Sequence, residues 1–181
     1  MRTLCLFSAV VSLLFVQPPR SPATCGDLPT AVVADMRRAL PGYGPIPITA
    51  FDSAWRVERP SFDDPDGGPS CITGDFDGNG LSDYVLFVRK GDAVELMAFH
   101  QMADGYRRYR VWTRDPFAYR PPLQMAIFRV PPGTLHGGGF GDAPEETVRM
   151  RTPSVDLRFF ETSSVTLYWK AGRYHQLWTS D

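Results

Sequence analysis

The stretch DYVLFVRKGDAVELMAFHQMADGYRRYRVWT, residues 83–113, decides the fold of this chain. Its apolar residues recur with a period of two, which is typical of β-strands with one buried face. Short polar turns interrupt it at Gly91-Asp92 and at Ala103-Asp104-Gly105. Turns of this length connect neighbouring antiparallel strands. The stretch therefore predicts a three-stranded antiparallel meander.

Five further runs with strand character follow the meander. They are LQMAIFRV (123–130), ETVRMRT (146–152), VDLRFF (155–160), SVTLYWK (164–170) and RYHQLWTS (173–180), the last two joined by a turn at Ala171-Gly172. Together with the meander they give about eight mostly antiparallel strands. We expect a mainly β (α+β) fold, either a sandwich or an open barrel-like sheet, with one N-terminal helix. A further short strand is possible around residues 48–57.

The one convincing helix is predicted in DLPTAVVADMRRAL, residues 27–40. Asp27 can cap its start, and Pro29 suits a first helical turn. Its apolar face repeats every four residues, with Leu28, Val32, Met36 and Leu40 on one side. Pro41-Gly42 ends it.

The first 24 residues have the layout of a secretory signal. Arg2 precedes an uncharged apolar run, Leu4–Val16, and small residues surround the expected cleavage site near Ala23. The run is too short for a membrane span of roughly 20 residues. Residues 25–181 are then a single β-rich domain, and we expect a periplasmic or secreted protein without a transmembrane segment. The residues before Cys25 match a lipid-attachment signal poorly.

Export also predicts the state of the cysteines. The signal carries Cys5, so the domain keeps Cys25 and Cys71. Two cysteines in an oxidising compartment most simply form a disulfide. A zinc site is the weaker alternative, because no cluster of histidines or cysteines accompanies either residue.

The charge of the chain argues against a nucleic-acid partner. There are 19 lysines and arginines against 20 acidic residues, and the basic residues are scattered. Nucleic-acid binding requires a basic patch or stripe. The charge distribution is compatible with a protein partner.

The loop GDFDGNGLSD, residues 74–83, has the spacing of a metal-binding loop. Oxygen donors on alternate residues can converge on one hard cation, and a glycine at the sixth position permits the sharp turn. The predicted ligands are the side chains of Asp75, Asp77, Asn79 and Asp83 and the backbone carbonyl of Leu81.

An all-oxygen donor set favours calcium over zinc or copper. The glutamate that closes a helix–loop–helix calcium site at position twelve is absent, since Leu86 lies there, and a strand follows. The nine-residue pattern resembles the calcium loops of integrin-type and FG-GAP repeats. We expect a structural Ca²⁺ with no catalytic role; a metal-free Asn-Gly turn is the alternative.

The chain shows no assembled catalytic set, and we predict that it is not an enzyme. LHGGGFGD, residues 135–142, is similar to an esterase oxyanion loop, but no Gly-x-Ser-x-Gly nucleophile accompanies it. We expect a flexible surface loop there. His100 and His175 are expected to be sheet-face or core histidines. Paired carboxylates for glycoside hydrolysis remain possible, but nothing marks any pair out.

Three features together resemble a known group of proteins. A cysteine precedes a short helix ending in Leu40-Pro41, a second cysteine stands just before GDFDGNGLSDYVLFV, and the chain ends in YWKAGRYHQLWTSD. This combination resembles small exported bacterial proteins that include calcium-binding, periplasmic lysozyme-inhibitor-like immunity proteins. The resemblance is weak between Arg114 and Thr152.

The resemblance implies a function as well as an ion. It implies that the Asp75–Asp83 loop binds calcium and that the protein binds and inhibits a peptidoglycan hydrolase. It identifies no inhibitory residues. The alternatives are a calcium-stabilised surface or matrix binding module and, less favoured, a small hydrolase with carboxylate chemistry.

Overall fold

The computed structural model of the chain describes residues 28–56, 68–112, 117–138, 145–160 and 162–179. Within these residues there is one α-helix, α1 (Thr30–Ala39), and there are twelve strands. The strands are β1 (Gly44–Pro45), β2 (Cys71–Gly74), β3 (Asp83–Lys90), β4 (Ala93–Met102), β5 (Gly105–Arg110), β6 (Phe117–Ala118), β7 (Met125–Val130), β8 (Gly133–Gly138), β9 (Glu145–Met150), β10 (Ser154–Phe159), β11 (Ser163–Lys170) and β12 (Arg173–Thr179). The predicted fold class, mainly β with one helix, is confirmed.

The predicted meander forms the centre of the first sheet, sheet 1. β3, β4 and β5 pair antiparallel through the two turns that the sequence indicated. β1 and β2 both pair with β3, and β6 pairs with β4, so sheet 1 has six strands. At the first turn Gly91 has a φ of 57°, a conformation that glycine adopts without steric cost.

Sheet 2 has four strands in the order β12-β11-β10-β7. The predicted turn at Ala171-Gly172 joins β11 to β12, and both of its residues have positive φ angles, 51° and 81°. Two successive positive φ angles match the right-handed twist of a tight hairpin. β8 and β9 pair separately as a two-stranded ribbon.

The two sheets pack face to face over the main hydrophobic core. Val85, Phe87 and Leu96 of sheet 1 join Leu157 and Leu167 of sheet 2 in one buried cluster. The architecture is therefore a β-sandwich. The buried apolar surface between the sheets is the main source of stability, at roughly 25 cal/mol per Å².

Helix α1 covers the other face of sheet 1. Val32 and Met36 are buried in a second cluster with Leu86, Val88 and Phe99. Leu28 and Leu40 pack against the same cluster, so the predicted apolar face of the helix is confirmed. Pro29 lies at the N-cap instead of in the first turn, and Asp27 lies outside the described residues.

Because sheet 1 is covered on both faces, β3 is buried along almost its whole length. Its first six residues, 83–88, are all buried. Odd-numbered residues such as Val85 and Phe87 face sheet 2, whereas even-numbered residues such as Leu86 and Val88 face the helix. This explains why the strand reads as an apolar run and not as a strict alternation.

Two sequence-based expectations are wrong. The possible strand around residues 48–57 is two short 3-10 helices, Ile48–Ala50 and Ser53–Arg56, with a single bridge between Phe51 and Leu123. The expected flexible loop at 135–142 begins as strand β8, which runs to Gly138; residues 139–142 lie outside the described residues. Glycines replace the β-branched residues by which a strand is usually recognised.

Candidate metal centre

The acidic loop connects two neighbouring strands of sheet 1. β2 ends at Gly74, β3 begins at Asp83, and these two residues are paired across the sheet. The loop therefore closes a hairpin whose last residue, Asp83, already belongs to a central strand. This agrees with the prediction that the loop leads into a strand near Asp83.

Asp75 and Asn79 shape the outer part of the loop. Asp75 Oδ1 accepts a hydrogen bond from the Gly78 N–H at 2.8 Å, and Oδ2 accepts one from the Gly80 N–H at 2.9 Å. Asn79 Oδ1 accepts from the Leu81 N–H at 2.8 Å. Gly78 and Gly80 have φ angles of 81° and 82°, so these glycines permit the turn.

Asp83 lies at the base of the loop and is fully buried, with 0% exposure. Its Oδ2 accepts a hydrogen bond from the Phe76 N–H at 2.9 Å, and its Oδ1 accepts one from the Gln101 N–H at 2.8 Å. Burial raises the pKa of Asp83 to about 7, the nearby Asp77 carboxylate adds to the rise, and the backbone N–H groups oppose it. The carboxyl group thus joins the loop to strand β4.

His100 of β4 is the second fully buried polar side chain at this site, again with 0% exposure. Its Nε2 lies 2.8 Å from Tyr174 Oη, and its Nδ1 lies 3.4 Å from Asp77 Oδ2. At 3.4 Å the latter contact is longer than an ordinary N–H···O hydrogen bond, and Nδ1 has no closer partner among the described residues. Burial lowers the pKa of His100, and the negative charge of Asp77 opposes that effect.

Aromatic rings from both sheets surround the His100 imidazole. The ring centroids of Trp169, Tyr109 and Tyr174 lie 4.6, 4.8 and 5.6 Å from that of the histidine. These rings seal the inner side of the site from solvent and fix the plane of the imidazole.

Asp77, Asp83 and His100 form a group that could hold a metal ion. One ligand atom from each lies within 4.8 Å of the other two. Of the predicted ligands, the structure brings Asp77 and Asp83 together in this group. Asp75 is not part of it, and the side-chain oxygens of Asp75 and Asn79 are engaged by N–H groups of the loop. Leu81 is exposed at the tip of the loop.

His100 is a buried strand histidine, as expected from the sequence, but its position beside the loop was not predicted. The register of the β3–β4 hairpin is the signal in the sequence that could have identified this position. A two-residue turn at Gly91-Asp92 pairs Lys90 with Ala93, and stepping outward along both strands pairs Tyr84 with Phe99. The next step sets His100 opposite Asp83. Residues directly opposite each other share a face of the sheet.

A cleft of about 720 Å³ opens beside the loop. Asp75, Asp77 and Gly78 form its acidic wall, and Arg149, Arg151, Trp169 and Lys170 are among the residues on the other side. A second cleft, of about 660 Å³, lies between α1 and β5. The first cleft places basic and aromatic side chains next to the candidate metal centre.

Cys71 lies in β2, buried against the helix side of sheet 1, and is disulfide-bonded. Cys25 lies outside the described residues. The Cys25–Cys71 pairing therefore stays a prediction. No helix in the described ranges is both long and apolar enough to cross a membrane.

Comparison of the chain with protein-family models, with curated proteins and with solved structures found no match. Functional inference therefore depends on the side chains of the site and on the sequence resemblance.

Proposed function

We propose that this chain is an exported, non-enzymatic β protein, stabilised by one divalent cation at the Asp75–Asp83 loop, that binds and inhibits a peptidoglycan hydrolase. The observation that carries the first part is the convergence of Asp77 with the fully buried Asp83 and His100 at the base of the loop. The choice of partner comes from the sequence resemblance.

The proposed cation is structural. It would neutralise two carboxylates that face each other in a site with little access to water. The oxygen donors of the loop favour calcium. With Kd values of roughly 10⁻⁴–10⁻³ M, typical of extracellular calcium modules, modest excess calcium adds about 1–3 kcal/mol to the free energy of unfolding.

The absence of catalysis is argued from access. A general acid or base has to come within hydrogen-bond distance of its substrate. Asp83 and His100 have 0% exposure and the Asp77 side chain only 13%. A saccharide chain cannot contact Asp83 or His100 unless the sandwich opens. These two side chains are therefore placed to stabilise the fold and not to catalyse a reaction.

The cleft beside the loop is the surface that we propose for the partner. Arg149, Arg151 and Lys170 are exposed there and Trp169 is half-buried. Glycoside hydrolases carry a pair of catalytic carboxyl groups in their own clefts. Arginine and tryptophan are frequent energetic centres of protein interfaces, so this surface complements such an enzyme in charge and chemistry.

The test is hydrolysis of purified peptidoglycan by a panel of lysozyme-type and other muramidases, with and without an equimolar amount of the protein. We expect suppression of one enzyme at one-to-one stoichiometry. The variant R149E/R151E should lose this suppression, whereas R107E, on β5 and outside the cleft, should keep it. Retention of polysaccharide without inhibition of any enzyme would instead favour the calcium-stabilised matrix-binding module.

A further inference from the structure

We infer that His100 is a metal ligand and that the ion lies on the inner side of the loop, bound by Asp77, Asp83 and His100. The inference deepens the proposed function and rests on its cation site. A site with an imidazole nitrogen takes a first-row transition ion of the zinc type more tightly than calcium.

His100 Nδ1 lies in a buried environment that leaves its hydrogen-bonding capacity unused. The side chain is fully buried, and the atom has no hydrogen-bond partner in the described part of the chain. An unsatisfied polar atom in such a place destabilises the folded state. The atom faces the Asp77 carboxylate, so a bound cation would satisfy both groups at once.

Tyr174 fixes the orientation of the imidazole. With the proton on Nε2, that nitrogen donates to Tyr174 Oη at 2.8 Å, and the Nδ1 lone pair points toward the carboxylates. Histidine ligands of metals commonly donate their second N–H in this way. With the proton on Nδ1, the N–H faces Asp77 Oδ2 at 3.4 Å, which is long for a hydrogen bond. A cation at this point would contact both groups more closely than the proton does.

The spacing of the one donor pair with a short separation, His100 and Asp77, is compatible with a shared ion. Two donors that each lie about 2.1 Å from one ion, at angles near tetrahedral, are roughly 3.4 Å apart. This matches the 3.4 Å between His100 Nδ1 and Asp77 Oδ2. Asp83 supplies the third donor, because a carboxylate oxygen that accepts one N–H bond retains a second lone pair.

The nitrogen donor determines the expected ion preference. Calcium takes oxygen ligands, whereas imidazole suits zinc and its neighbours in the first row. Calcium would still fill the site where its concentration is far higher, since availability decides occupancy in vivo. Asp75 lies outside the group of converging ligand atoms, so we assign it, with Asn79, to holding the loop through its N–H groups.

The test uses ¹⁵N-histidine-labelled protein, stripped of metal and titrated with Zn²⁺ under NMR observation. The chain has three histidines, so the three imidazoles can be followed separately. We expect one equivalent of Zn²⁺ to shift the Nδ1 signal of one histidine, and calorimetry to give an affinity for Zn²⁺ at least about tenfold higher than for Ca²⁺. His100→Gln should lose the shift, and H136Q/H175Q should keep it.

A milder variant tests the inference even if His100→Gln does not fold. Tyr174→Phe retains the ring and removes only the group that orients His100, so Zn²⁺ affinity should fall by roughly 10- to 100-fold. The inference is overturned if no imidazole shifts, if the shift survives in His100→Gln, or if Ca²⁺ binds more tightly than Zn²⁺. Calcium binding without a histidine shift would leave the cation site of the proposed function intact, whereas binding of neither ion would remove both. Hydrolase inhibition is measured independently.

Discussion

Asp75 and Asp77 stand two residues apart in the same loop, yet they have different surroundings. The two oxygens of Asp75 accept N–H groups of Gly78 and Gly80, whereas Asp77, whose oxygens accept N–H groups of Asn79, also faces the buried His100. The alternating spacing of acids predicted a shared role for the loop residues. It could not show which of the two residues faces the buried histidine, because that depends on packing against β4.

The Asp75 side chain gives the first prediction. Asp75→Ala removes the acceptors of two N–H groups, so we expect the free energy of unfolding to fall by about 1–3 kcal/mol even in the presence of a chelator. Chemical denaturation with and without added cation measures this. Asp104→Ala, at an exposed turn, is the control. A loss confined to the cation-containing buffer would instead identify Asp75 as a ligand.

The pH dependence of the metal-free protein gives the second prediction. Burial raises the pKa of Asp83 to about 7 from its ordinary value of 3.8, so the folded state holds this proton more tightly than the unfolded state. The contribution of this proton to stability is complete below the unfolded pKa and is lost as pH rises toward 7. In chelator, the free energy of unfolding should fall by up to a few kcal/mol across this range, at about 1.4 kcal/mol per pKa unit.

Denaturation at several pH values, on wild type and Asp83→Asn in parallel, measures this contribution. In Asp83→Asn, the free energy of unfolding should not show this part of its dependence on pH. Identical slopes in the two proteins would contradict the assignment to Asp83. Bound cation should reverse the trend, because metal binding favours the deprotonated ligand.

At the scale of secondary-structure elements, the sequence predicted those helices and hairpin turns that neighbouring residues determine. The helix face of Val32 and Met36 and the hairpin turns at Gly91-Asp92 and Ala171-Gly172 are as expected. β1 and β6, with two residues each, are too short for any periodicity. β8 was missed because its glycines signal a loop, although pairing with β9 makes it a strand.

Gly137 in β8 gives the third prediction. A Cβ there would lie 2.3 Å from the backbone oxygen of Trp178 and 2.6 Å from Cγ of Leu177. Gly137→Ala should therefore push the β8–β9 ribbon away from β12 and destabilise the protein by about 1–3 kcal/mol, as overpacking does. At Gly133, in the same strand, a Cβ meets no atom within 4 Å, so Gly133→Ala is the matched control. Equal melting temperatures for both variants would refute this close packing.

For the whole molecule, the sequence predicted the fold class but not how the strands divide into sheets. That division depends on contacts between distant segments, such as Phe87 of sheet 1 with Leu167 of sheet 2, which no local pattern records. The candidate metal centre likewise depends on contacts between separate segments of the chain. Its loop residues could be predicted, whereas His100 enters only through the pairing of two strands.

The fourth prediction concerns the disulfide that ties distant parts of the chain. Cys71 is disulfide-bonded, and Cys25 is its predicted partner. We expect a Cys25–Cys71 cross-linked peptide in the mass spectrum of a non-reduced digest and no titratable thiol at Cys71. Reduction should lower the free energy of unfolding by about 3–4 kcal/mol, because the unfolded chain regains the entropy of an open loop. A free Cys71 thiol in the native protein would refute the pairing.

The coverage of sheet 1 on both faces has a kinetic consequence. The β3–β4 hairpin is local in sequence and forms core on two sides, which favours it as an early folding nucleus. The Tyr174 contact of His100 needs β12, from the end of the chain, and so forms late. Interactions absent from the transition state slow unfolding without speeding folding. An ion bound to His100 would therefore lower the rate of unfolding and lengthen the lifetime of the native state.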